Sequence, residues 1–393
     1  MRTLLAIALL LPSVVATGAE WSGQIALETR HFPQDPADIR QSGGGFSYSA
    51  QPEYFIEWDD GKQSLSFVPF LRWGDQDEER NGVDIRELTW AYYAYDWELR
   101  AGIRKLFWGV TESLHLVDII NQTDLAESFD GDEKLGQPMI NLSLMRDWGA
   151  IDLYVLPGFR ERTFPGLEGR LRTQPRVDNE LVSYESPAGD NYIDLAVRWS
   201  HTVGDWDVGL YHFRGTSREP TLTVAMNETG EIVLAPHYEL IHQTGLDAQF
   251  VNEGWLWKLE AIRRSGQGEH YWAAAGGFEY TFVGIAETDL DLGLIAEVLY
   301  DDRGDQAATP FEEDLMIGGR LTFNDAQSTE LLAGVVHDLD SAERFWSVEA
   351  SRRLGNQWKL SLEARWFERT QPTTLFGSFA QDDYVQLELA WYF

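Results

Sequence analysis

The 393-residue chain has no cysteine, so disulfide staples and thiolate metal ligands are both excluded. Beyond residue 19 it also lacks any long hydrophobic run: a charge, glycine or polar residue interrupts each apolar stretch, whereas a transmembrane helix needs roughly 20 apolar residues. A helical membrane protein is excluded on that ground. Positive charge is scarce, with 31 Lys and Arg against 64 Asp and Glu and a formal net charge of −33, which argues against nucleic acid as a partner. Linkers are missing too. No Pro/Ser-rich tract or low-complexity block divides the chain, so a single domain is expected. The eight histidines show no i, i+4 pairs and no zinc-ligand spacing, and no cofactor is implied.

What is present begins with an export signal. Arg2 is the only charge before Glu20, an apolar run extends from Leu4 to Val15, and small residues from Ala16 to Ala19 offer a cleavage site after Gly18 or Ala19. Residues 1–19 are therefore expected to be a signal peptide and 20–393 the mature domain. Sixteen Trp, fifteen Tyr and twenty Phe bring the aromatic content to 13%, beside 35 Gly. Transmembrane barrels share this composition, because half of each strand faces lipid and aromatic girdles mark both interfaces.

The last segment is the clearest strand. Val385, Leu387, Leu389, Trp391 and Phe393 alternate with Tyr384, Gln386, Glu388 and Ala390, the period-2 pattern of a strand with one greasy and one polar face. Leu389, Trp391 and the terminal Phe393 resemble the recognition signal of the bacterial barrel-assembly machinery. The same alternation recurs upstream, as in Trp358, Leu360, Leu362, Ala364 and Trp366 against Lys359, Ser361, Glu363 and Arg365. About 18 such segments follow one another, an even number, as bacterial barrels require. Connections alternate between short Gly/Asn/Asp turns such as Asp59-Asp60-Gly61-Lys62 and long stretches at 33–44, 108–138, 157–191, 216–236, 301–312 and 369–382. Short periplasmic turns against long outer loops place both termini in the periplasm. The expected fold is all-β: a transmembrane antiparallel β-barrel of about 18 strands.

One loop differs in chemistry. From Gly102 to Ser128 the chain is rich in Leu, Val and Ile, which an exposed loop cannot carry without aggregating. It is expected to fold inward as a constriction over 108–138, with Arg104, Lys105, Glu112, Asp118, Asn121 and Asp124 narrowing the pore and at most one helical turn between Thr111 and Leu125; a surface loop packed on its neighbours is the alternative. Within it, Gly102, Arg104, Lys105, Trp108 and Gly109, followed by Asp118, Ile119, Asn121 and Asp124, resemble the signature of a porin-like family of Gram-negative outer membranes, many members of which have no assigned function. Lys105 stands where that family more often has Gln, and the Pro before the final Asp is missing. The layout is also similar to specific porins and to the alginate-export barrel. The latter resemblance implies a strongly basic lumen, against which the mixed charges here argue.

Charged residues on the polar faces cannot meet hydrocarbon, where an arginine at mid-depth costs about 2–4 kcal/mol, so they are assigned to the lumen. They include Arg72, Arg100, Arg198, Arg320 and Arg365 opposed by Glu53, Glu57, Glu349 and Glu363, with Glu28, Glu260, Glu297 and Glu388 on the same faces. Such charges either filter ions or form structural pairs across strands. Ser113, His115 and Asp118 lie close in sequence, but no motif anchors a nucleophile. The acid-rich turns Asp130–Glu133 and Asp301–Asp305 lack the full spacing of an EF-hand. The resulting expectation is a porin or substrate-selective channel, not an enzyme, with outer-membrane lipid, lipopolysaccharide, the assembly machinery and small solutes as partners. A plugged structural, adhesive or export barrel is the alternative and an embedded hydrolase the third reading; monomer against trimer stays open.

Overall fold

The computed structural model describes residues 18–393, so the expected signal peptide lies, through residue 17, outside the described residues. The strands are β1 (Glu20–His31), β2 (Gly44–Trp58), β3 (Gln63–Gly74), β4 (Gly82–Tyr93), β5 (Trp97–Arg104), β6 (Gln137–Arg146), β7 (Gly149–Pro157), β8 (Ser183–Tyr184), β9 (Ile193–Val203), β10 (Trp206–Thr216) and β11 (Thr221–Met226). They continue with β12 (Ile232–Tyr238), β13 (Leu240–Asn252), β14 (Trp255–Gly266), β15 (Gly268–Phe282), β16 (Asp291–Asp301), β17 (Glu313–Thr322), β18 (Glu330–Asp338), β19 (Arg344–Leu354), β20 (Trp358–Glu368) and β21 (Tyr384–Tyr392). Eighteen of them form one antiparallel sheet. It closes where β1 pairs with β21, from Gln24 opposite Tyr392 to His31 opposite Val385, so no edge is left unpaired.

Strand alternation sets what each face meets. In β14, Trp257 and Leu259 are 45% and 43% exposed on the outside, while Glu260 between β13 and β15 is wholly buried inside. Trp21, Trp206, Trp255 and Trp358 stand exposed around the short-turn end, and Tyr48, Trp73, Trp272, Trp346 and Trp366 around the long-loop end. An apolar belt between two aromatic girdles is a wall solvated by hydrocarbon.

Local rules explain the details. Asp59, Asp60 and Gly61 take left-handed φ values of 58°, 53° and 79° in the tight turn between β2 and β3. Pro69, which has no amide to donate, sits where the β3–β4 register shifts. A side chain at Gly102 (φ 137°) would collide with the Leu88 carbonyl of β4, so only glycine lets β5 approach there.

Two features depart from expectation. The stretches 157–191 and 216–236, expected as plain loops, contribute a small separate sheet in which β11 pairs antiparallel with β12 and β12 parallel with β8. The hairpin uses an Asn227–Gly230 turn with Gly230 at φ 81°. The interior is also not uniformly polar. Tyr154, Tyr211, Phe213, Ile241, Ile262 and Tyr271 turn inward and bury Val117, Ile119 and Ile120 of the long loop, with Trp108 packed against them. Each buried isoleucine contributes about 1.5–3 kcal/mol, so this half of the barrel is filled as a soluble core is filled. Between Thr111 and Leu125 the chain forms turns and no helix.

Candidate functional site

The segment between β5 and β6 lies inside the barrel, and its first bonds close it on itself. Asp118 Oδ1 accepts the amides of Trp108 and Gly109 at 2.6 and 3.0 Å. Asn121 Oδ1 accepts the Leu106 amide at 2.9 Å, and its Nδ2 donates to the carbonyls of Arg104 and Leu135 at 2.7 and 2.8 Å. Asn121 is 2% exposed, so these bonds replace water that the buried backbone cannot reach. The conspicuous motif residues Trp108, Gly109, Asp118 and Asn121 thus brace the loop.

Wall carboxylates then seize it. Glu260 of β14 accepts the amides of Val110, Thr111 and Val117 and the Thr111 hydroxyl, at 2.6, 3.0, 3.1 and 2.7 Å. Glu297 of β16 accepts the amides of Glu112 and Ser113 at 2.7 and 3.0 Å and the Ser113 hydroxyl at 2.6 Å. Glu112 in turn bridges Lys258 and Arg320, at 3.3 and 2.9 Å. The far side of the loop is tied to other strands: Asp124 to Arg86 of β4 at 2.9 Å, Glu127 to Arg72 and Arg80, and Asp130 to Arg365 of β20 at 3.4 Å. Held from β14 and β16 at one end and from β3, β4 and β20 at the other, the loop is a crossbar.

The remaining charges expected in the lumen fall into pairs and free groups. Arg104 donates to Asn141 at 3.0 Å, Lys105 meets Glu133 at 3.3 Å, and Arg100 pairs with Glu98. Arg198 pairs with Asp247 and lies 4.9 Å from the Trp108 ring centroid. Arg320 also reaches Glu279 at 3.4 Å, and Arg365 reaches Glu349 at 2.7 Å and Glu363 at 3.6 Å. Glu53 and Glu57 are exposed and have no polar partner among the described residues. Leu389 and Trp391 lie in the closing seam opposite Leu27 and Ile25, and the Phe393 amide donates to Gly23 at 3.1 Å.

Ser113, His115 and Asp118 are not assembled for catalysis, since the Ser113 hydroxyl is spent on Glu297 and Asp118 on loop amides. Asp301 pairs with Arg303 at 2.6 Å, and no three His, Asp or Glu groups gather as a metal site among the described residues. Arg80, Arg86 and Glu127 were missed by the sequence reading. Their only signal was charge, and the carboxylate or guanidinium that joins each to the wall or the loop, Glu28 for Arg80, Asp124 for Arg86 and Arg72 for Glu127, lies dozens of residues away.

His115 lies 3.8 Å from Glu260 and 3.7 Å from Asp132. Burial opposes charge on its ring, but the carboxylates of Glu260, Asp118 and Asp132 together outweigh it and raise the pKa above the ordinary value. Enclosure and the neighbouring Asp130 push the Asp132 carboxyl up to about 6, although its side chain keeps 70% of its surface open and water damps the effect. Both groups bind protons more tightly in the fold, so their stability contribution is largest in acid and declines as pH rises through the folded values. Acidifying from about pH 8 to about pH 5 protonates His115 first and then Asp132, adding up to two positive charges around the crossbar. The expected result is a reversal potential that moves toward anion preference over that range; a flat profile would contradict it.

Two cavities flank the crossbar. The one at the long-loop end, about 440 Å³, sets Phe311, Phe345 and Phe376 against Lys134, Arg162 and Arg264. The other, about 340 Å³, opens at the short-turn end among Arg320, Lys359, Glu363 and Glu388. They share Leu332 and Glu349, on β18 and β19, in their linings.

No protein-family model and no curated protein matches this chain. Among solved structures it is similar to Pseudomonas aeruginosa OccK11 (OpdR), with a TM-score of 0.55, 10% identity and 95% of each chain covered. The fold is a porin-like barrel. A variant of the Rh. blastica porin aligns over 95% of this chain and all of its own, at 11% identity and a TM-score of 0.46.

Proposed function

We propose that the protein is a channel of the bacterial outer membrane through which small solutes diffuse passively, along a route displaced to the β17–β21 side of the barrel. The observation that carries this reading is that the two cavities, one toward each end of the barrel, share Leu332 and Glu349 in their linings. A solute crossing there passes Glu349, whose side chain is 49% exposed while one oxygen is held by Arg365. The outward apolar wall and its girdles support a place in the membrane, and the terminal strand supports delivery by the barrel-assembly machinery. The residues expected to shape the pore then divide into two groups. Asp118, Asn121 and Asp124 hold the crossbar, whereas Glu112, Arg320 and Glu349 face the route and the buried Arg365 pairs with Glu349 behind it.

Single-channel recording in planar bilayers tests the proposal. Discrete ion conductance is expected; no current at any voltage would leave a plugged barrel in its place. Glu349→Gln removes one carboxylate from the junction and leaves Arg365 less neutralised, so the reversal potential in a salt gradient should shift toward anions. Glu57→Gln, which lines neither cavity, should shift it much less. Equal shifts for the two variants would place the route elsewhere.

A further inference from the structure

The outside of the barrel carries a patch of a different kind. Along β10, β13 and β14 the alternation buries Tyr211, Phe213, Gln243, Ile262 and Arg264 and leaves His212, Arg214, His242 and Arg263 exposed on the lipid-facing side. Pairing gathers these four: Arg214 stands opposite His242, and Thr244 stands opposite both His212 and Arg263. The His212 and His242 rings are 5.8 Å apart, and His212 Nδ1 is 2.9 Å from the Thr244 hydroxyl. Arg263 lies 5.6 Å from the centroid of Trp272, its cross-strand neighbour.

Two facts make this patch unusual for the chain. With 31 Lys and Arg against 64 Asp and Glu, most cations of the described residues hold a carboxylate, as Arg72, Arg80, Arg198, Arg218 and Arg365 do. Arg214 and Arg263 have no ion pair among the described residues. They also project from a wall built for hydrocarbon, where an arginine costs about 2–4 kcal/mol at mid-depth and about 0–1 kcal/mol near the interface. Trp272 belongs to the long-loop girdle, so Arg263 beside it, and Arg214 further toward the loops, sit at headgroup level.

We propose that this patch binds the phosphate of a lipid headgroup in the outer leaflet. A guanidinium offers paired donors that match phosphate oxygens, and the two arginines would neutralise its charge. The apolar side chains Leu195 and Val197, opposite Arg214 and His212, and Leu210 further from the loops are exposed to receive the acyl chains. The inference rests on the outer-membrane reading but not on an open pore.

The test uses the purified full chain in a neutral detergent, titrated with phosphorylated or dephosphorylated lipid A, with bound lipid counted by native mass spectrometry. Phosphorylated lipid A should be retained preferentially. Arg214→Gln and Arg263→Gln should each weaken that retention about fivefold, the effect expected of one basic residue at headgroup level. Arg352→Gln, an exposed cation at the short-turn end, should leave it unchanged. Both substitutions lie on the outer face and touch no buried contact, and heat-modifiable gel migration reports whether the barrel has folded. Equal retention of the two lipids, or of phosphorylated lipid by the Arg214→Gln/Arg263→Gln double variant, would overturn the proposal. So would a double variant whose only change is in oligomeric state, which would make the patch a contact between copies. A wild-type chain that enters no vesicle of any composition would instead overturn the membrane reading beneath it.

Discussion

Glu260→Ala is expected to release the crossbar and raise single-channel conductance severalfold. One carboxylate, wholly buried, accepts four hydrogen bonds from residues 110–117 across a separation of about 150 positions. Each bond to a charged acceptor contributes about 1.5–3 kcal/mol, and an amide left unpaired in a buried place costs about 1–3 kcal/mol. With three amides orphaned, the loop gains more by moving into water than it retains from Val117, Ile119 and Ile120. The barrel itself should survive, because its ladder does not pass through Glu260's side chain. New protease cleavage within 108–138 should accompany the higher conductance. Glu260→Gln, which keeps one carbonyl oxygen, should fall between, and Glu297→Ala should act in the same direction with a smaller effect. Unchanged conductance in the alanine variant, with the barrel folded, would show that the loop is held by its apolar bed alone.

Glu28→Ala should be strongly destabilising, by about 3–5 kcal/mol, because it leaves two buried guanidinium groups to share the single carboxylate of Glu127. Glu28 meets Arg72 at 3.0 Å and Arg80 at 2.6 Å, and Glu127 of the crossbar completes the group. The two arginine side chains are each 6% exposed, so water cannot take over. The urea midpoint of the folded barrel should fall accordingly. Adding Arg80→Met to Glu28→Ala should recover part of the loss, since removing a charge together with its partner costs less than leaving it alone. A double variant no better than the single one would mean that packing around Arg80, and not charge balance, sets the stability. Glu28→Ala also loosens the crossbar at the end opposite Glu260, so a conductance change should appear there as well.

Particular residues show where sequence reading succeeded and where it stopped. Trp358 through Trp366 and Val385 through Phe393 alternate cleanly, and both became strands within a residue or two of the expected limits. The stretch 216–236 did not reveal its hairpin, since Thr221–Met226 and Ile232–Tyr238 resemble strand and loop equally when their partners are unknown. Glu260 and Glu297 were recognisable as inward-facing acids by their parity. That they clasp the backbone of residues 110–117 depends on which strands the loop reaches, and no local pattern encodes it.

Barrel closure, strand number and the direction each side chain faces follow from a period of two, a local property that every strand repeats and that neighbours reinforce. The crossbar, its anchors on opposite walls and the apolar filling of one half of the bore arise from contacts between residues tens to hundreds of positions apart. Hydrophobic alternation acts on the nearest neighbours along a strand and leaves a readable trace. A buried carboxylate and the amide it accepts are chosen by their meeting in space, and the chain carries no record of that meeting until it has folded.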